Sequence, residues 1–200
     1  GSFSNDEHAA AVDKGFVYLR PMFFNQHCIA GGHFTGLALS ITILFNLAVA
    51  HHAKAMTNAD NDDAIRNGTL QRALKLYELA HQLFGEWRLR QCQQEPSPSS
   101  SPSSSPSARI MDATVERLEH DVGLFSLRFT MIVSNNLGEI YRGMGNEERH
   151  RACLRHLLST IMYSVDRDLA AFRPGSTEMN GFCENVSSIL LGDEECARAA

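Results

Sequence analysis

Histidine and cysteine are the side chains in this sequence best suited to hold a metal or attack a substrate, and their spacing argues against both. His150, Cys153 and His156 recur at steps of three, which makes neighbours of them on a helix. Six residues of helix nevertheless turn His156 well away from His150, leaving half a ligand set, and metal sites usually draw on two elements. His51 and His52 are adjacent, so on a helix their side chains diverge by about 100° and cannot easily share one ion. His51 is expected to take the place of a packing aromatic. The five cysteines, Cys28, Cys92, Cys153, Cys183 and Cys196, are odd in number and form no CxxC pair. Neither a disulfide framework nor a zinc knuckle is indicated, and a reducing compartment, cytoplasm or nucleus, is the simpler setting. There is no GxSxG, no phosphate-binding glycine loop and no HExxH. The expected reading therefore has no catalytic residue, no metal and no cofactor. Its alternative is an enzyme whose site is assembled from distant residues.

Charge narrows the partners. The formal net charge is -5, with acids and bases mixed along the chain. That lacks the basic stripe of a nucleic-acid binder and the polybasic patch of a membrane-surface protein. Phe34–Ala50 carries no charge over 17 residues, whereas a spanning helix needs about 20 predominantly apolar ones. Thr35, Ser40, Thr42 and Asn46 interrupt the run and His51-His52 follow it. A helix buried on both sides in a helical stack would look the same. The expectation is burial by other helices and no membrane partner, with a membrane-associated helical protein as the lesser alternative.

These residues need elements to position them. Gly1-Ser2 reads as a tag-cleavage scar and is set aside, which leaves the native N-terminus and any targeting signal open. Residues 1–33 read as this scar and an extended arm. Within it Phe16–Leu19 and Met22–Phe24 flank Pro21, and Gly31-Gly32 breaks the chain before the first helix. Helix one is expected over about 34–57, followed by the acidic turn Asn58–Asp63. Helix two runs from Asp63 or Thr69 to Gln91, with Leu70, Ala73, Leu74, Tyr77, Ala80, Phe84 and Trp87 as its main stripe. Leu76, Leu79 and Leu83 form a second. Residues 96–107 hold only proline and serine, a low-complexity loop with nothing large and apolar to offset ordering. Its Ser-Pro steps make Ser97, Ser101 and Ser105 possible phosphorylation sites, against the plainer reading of a spacer. Helix three is expected from Arg109 or Asp112 to Arg142, and helix four from the N-cap Asn146 to about Arg173, with Leu154, Leu157, Leu158, Ile161, Val165 and Leu169 inward. Helix five starts near Ser176 or Thr177, buries Met179, Phe182, Val186, Ile189 and Leu190, and ends at Gly192. Residues 193–200 are expected to be a frayed tail. The class is all-α: one domain over 34–192, built of antiparallel helical hairpins.

Two hairpins carry a shared pattern of small and large residues. In the second half Leu137-Gly138 is followed by Tyr141 and Gly145, and Ala152 stands two places beyond the strict small crossing position. In the first half Leu44, Leu47-Ala48 and His51 precede Ala73, Tyr77 and Ala80. Both hairpins, about 34–91 and 112–172, resemble tetratricopeptide repeats. ILFNLAVAHHAKA, LQRALKLYELAHQLF, VSNNLGEIY, CLRHLLSTIMYSVD and the final EMNGFCENVSSILLGDEECARAA further resemble a large diatom family of such proteins, one without an assigned molecular function. The resemblance implies a short helical-repeat array with helices one and three side by side and helices two and four outside them. It implies a protein- or peptide-binding adaptor or scaffold. In such grooves an asparagine two residues before the small residue bonds a bound peptide's backbone. Asn46, before Ala48, and Asn136, before Gly138, match that position, and a carboxamide can donate and accept at once. Glu139 and Arg142 would lie on or beside the same face. Helix one has no lysine or arginine before Lys54, so a C-terminal carboxylate is not the expected ligand.

Overall fold

The computed structural model describes residues 15–23, 35–57, 63–92, 106–167 and 175–198. Five helices account for nearly all of them: α1 Thr35–Thr57, α2 Asp63–Cys92, α3 Pro106–Gly143, α4 Glu147–Asp166 and α5 Thr177–Arg198. No strand occurs among the described residues, and residues 15–23 are neither helix nor strand. The protein is all-α, with helix pairs packed against each other. α1 lies along α2 and α3 along α4; α2 also meets α3, and α5 meets α4 and α3.

The period of α2 explains how it joins the pairs. Leu70, Ala73, Tyr77, Ala80, Phe84 and Trp87 are all buried, and steps of three and four place them on one face. Phe84 and Phe129 of α3 lie 4.4 Å apart between centroids. Farther along, the Tyr141 hydroxyl donates to Glu78 over 2.9 Å, and Leu70 abuts Gly143. These contacts advance along α2 as they retreat along α3, so the two helices are antiparallel. α1 and α3 touch through Phe45 and Phe129, 5.8 Å apart. In the second stripe Leu76 and Leu83 pack on the core, whereas Leu79 is exposed.

Local chemistry sets the helix ends. Gly145 has φ 71°, a left-handed conformation in which a Cβ is strained. It brings the Asn146 N–H onto the Tyr141 carbonyl at 2.9 Å. The Asn146 side chain then accepts from the Arg149 N–H over 3.1 Å, capping α4 as its sequence predicts, with Glu147 and Glu148 in the first turn to complement the helix dipole.

Several sequence expectations give way to packing. Of the adjacent histidines, His52 rather than His51 is the buried one, its ring 6.2 Å from that of Tyr77. The close crossing of α3 and α4 is made by Gly138 opposite Cys153 and Leu154, while Ala152 is exposed, because the extra residues in the turn rotate α4. Val165 and Leu190 are exposed. α4 ends at Asp166 rather than near Arg173, and α5 continues through Gly192 to Arg198. α3 begins at Pro106, inside the expected Ser/Pro loop; Ser97, Ser101, Ser105 and Leu169 lie outside the described residues. α1 is long and apolar enough to cross a membrane by length and composition. Its inner face, Ile41, Phe45, Ala48, Val49 and Ala55, is core, but Leu39, Ile43 and Leu47 are exposed. The expected burial holds for the inner face alone.

Candidate functional site

A row of three asparagines grips an extended segment of the chain itself. Asn46 stands on α1, Asn136 on α3 and Asn185 on α5, and each presents its carboxamide to residues 15–23. The Asn185 Oδ1 accepts from the Phe16 N–H at 2.8 Å while its Nδ2 donates to the Phe16 carbonyl at 2.7 Å. Asn136 repeats this with Tyr18, at 2.9 and 2.8 Å. Asn46 repeats it with Met22, at 2.8 and 3.0 Å. Each amide thus satisfies both backbone groups of one residue, the reciprocal pairing that neighbouring strands would otherwise supply. The segment crosses the helices in reverse chain order, from α5 through α3 to α1.

A buried polar network holds the middle of this row. Asn135 and Asn136 are fully buried. Asn136 Nδ2 also donates to the Tyr77 hydroxyl at 2.8 Å, so Tyr77 of α2 supports the amide from behind. Asn135 Nδ2 donates to the Phe16 carbonyl at 2.9 Å and to Asn136 Oδ1 at 3.2 Å, and Asn185 Nδ2 donates to Asn135 Oδ1 at 2.7 Å. Such networks are stabilising when every member is satisfied and costly when one is missing.

Side chains add to the backbone grip. Phe16 lies over Gly181 of α5, where a Cβ would stand 2.2 Å from the ring, and packs edge-on to Phe182 at 5.5 Å. Tyr18 and Met22 are buried. Arg20 is ion-paired with Glu178 in the first turn of α5. The helix-end backbone N–H, followed by Arg20, holds the Glu178 carboxyl below its usual range. At the arm's start Gly15 rests on Glu139: a Cβ there would lie 2.6 Å from both carboxylate oxygens. Glu139 is buried and accepts from Arg142 at 2.6 Å.

Magnitudes show how firmly the arm sits. Six amide–backbone bonds contribute about 1 kcal/mol net each. Burying Tyr18 and Met22 adds about 1.5–3 kcal/mol apiece, and the half-buried Phe16 adds less. Against this, ordering the nine residues 15–23 costs about 1–2 kcal/mol per residue. The two sides are of similar size, so docked and released arm differ by no more than a few kcal/mol.

The structure thus brings Asn46, Asn136 and Glu139 onto one segment, with Arg142 behind Glu139. It adds Asn185 and Asn135, which sequence reasoning missed. A signal for Asn185 existed: Asn185-Val186-Ser187 repeats the asparagine–apolar–small spacing of Asn46-Leu47-Ala48 and Asn136-Leu137-Gly138. The histidine–cysteine series has other tasks. His150 Nδ1 lies 2.9 Å from the Gly138 carbonyl, His156 is exposed, and burial pushes the Cys153 thiol up to about 11, which disfavours the nucleophilic thiolate. No group of three or more metal-ligating side chains occurs among the described residues. Comparison with protein-family models, with curated proteins and with solved structures finds no match.

Proposed function

We propose that this chain is a tetratricopeptide-like adaptor or scaffold module that binds an extended segment of another protein along α1, α3 and α5. The observation that carries the reading is the row Asn46, Asn136 and Asn185, one carboxamide on each of those helices, each pairing with both the N–H and the carbonyl of one residue. A grip on backbone alone is indifferent to side chains, so it suits any extended chain that reaches it. The repeated asparagine–apolar–small spacing, the hairpin pairs and the close crossing at Gly138 support the repeat-like arrangement. Glu139 of the middle helix, backed by Arg142, lies against the start of the arm at Gly15.

The test is affinity capture with two full-length baits, identified by mass spectrometry. One carries Phe16→Ala and Tyr18→Ala to loosen the arm, and the other adds Asn46→Ala, Asn136→Ala and Asn185→Ala. The expected result is a partner retained by the first bait and lost by the second, with circular dichroism showing both to be helical. Equal capture would remove the asparagines from the site. Turnover in a substrate screen would favour an enzyme.

A further inference from the structure

The arm is an occupant as well as a part of the fold, and its residues alternate in what they do. After Gly15, which rests on Glu139, the helices bind Phe16, Tyr18, Arg20 and Met22 at every second position through ring contacts, carboxamides or an ion pair. Of the residues between them Leu19 and Pro21 are exposed and Val17 is half-buried. Arg20 reaches Glu178 from an otherwise exposed position, and beyond Met22 Phe23 is 83% exposed. Period two is what an extended chain lying on a surface produces. We infer that residues 15–23 are a built-in competitor for this groove, and that its partner is an extended segment repeating their pattern: an aromatic residue, a second aromatic two places on, a basic residue two further, and an unbranched apolar residue two further still. This rests on the reading of the groove as a binding site for other proteins, and adds to it what the groove selects.

Three features of the groove are shaped to side chains rather than to backbone. Gly181 opens a slot on α5 that the Phe16 ring fills and that any Cβ would close. The second aromatic site buries Tyr18, with the Arg128 guanidinium 3.4 Å from its hydroxyl. Glu178 supplies one negative charge at the position of Arg20, three residues before Gly181 on the same helix. A carboxylate near a groove rejects an acidic residue as well as favouring a basic one. Because the arm's contacts and its ordering cost are of similar size, a segment offered by another protein can displace it. The arm then acts as a threshold, lowering the apparent affinity of every sequence in proportion to the fraction of time the groove stands free, so that only tight binders register.

The probe is a fluorescein-labelled peptide of residues 15–23, read by anisotropy against full-length protein. We expect it to bind the Phe16→Ala/Tyr18→Ala chain at least about tenfold more tightly than the wild-type chain, whose own arm competes, and about tenfold more tightly than a peptide with alanine at both aromatic positions. If both peptides bind the arm-loosened chain equally, the groove reads backbone only: the pattern is overturned while the adaptor reading stands. If neither binds a chain that is still helical, both readings fall. Equal binding of the native peptide to wild-type and loosened chains overturns the competitor role. Should the double substitution unfold the protein, Arg20→Glu, at a largely exposed side chain, loosens the arm instead. The native peptide should then bind the Arg20→Glu chain more tightly than a peptide with glutamate at that position, and Glu178→Arg should reverse the order. No preference in either chain overturns the inference.

Discussion

Asn136→Ala is the sharpest test of the arm's attachment. The substitution removes the acceptor for the Tyr18 N–H and the donors to the Tyr18 carbonyl and the Tyr77 hydroxyl. If the arm stayed in place, three groups would be left unsatisfied at a site with no solvent access. At about 1–3 kcal/mol each, this would cost several kcal/mol. The arm has a cheaper response, because undocking returns Tyr18 to water. The loss is therefore capped by the arm's own docking free energy plus the stranded Tyr77 hydroxyl, and we expect about 2–3 kcal/mol in urea titrations. Hydrogen exchange supplies the second readout. The amides of Phe16, Tyr18 and Met22 should lose protection together, while those of Ala73 to Ala80 in α2 keep theirs. Asn136→Asp should be at least as damaging at neutral pH, since it places an oxygen where Nδ2 faced the Tyr18 carbonyl and buries a charge. A loss below about 1 kcal/mol would refute the argument. So would faster exchange at Tyr18 with Phe16 and Met22 unchanged, because that would mean the arm is not one cooperative unit.

Gly181→Ala should expel Phe16 from α5, raising exchange at the Phe16 amide while the helical circular dichroism is unchanged; an unperturbed Phe16 ring signal in NMR would contradict the slot. Tyr77→Ala should cost about 3–5 kcal/mol as a fully buried aromatic, and a urea midpoint near wild type would show that the α2 stripe is not core. His52 is lowered to about 4 by burial, and its Nδ1 has no hydrogen-bond partner, so the folded protein holds it neutral while the unfolded chain protonates near 6.5. Its contribution is then complete above pH 6.5 and is lost as pH falls from there to about 4. The difference is on the order of 3 kcal/mol, and it should vanish from the pH dependence of stability in His52→Phe.

The sequence determined which segments are helical, because a stripe such as Leu70 to Trp87 in steps of three and four, or a cap such as Asn146 before two glutamates, is a local property of the chain. It also marked Asn46 and Asn136, through a spacing that recurs at Asn185. Tertiary structure decided what those amides hold. Phe16 and Asn185 are 169 residues apart, and nothing local to either tells an extended arm that it will lie across helices from both ends of the chain. Packing also chose His52 over His51 and Cys153 over Ala152, since a rotation of a helix by one residue is invisible in an apolar pattern wide enough to accept either. It left Leu39, Ile43 and Leu47 outside for the same reason. α1 is apolar all round, so only its neighbours could say which face became core.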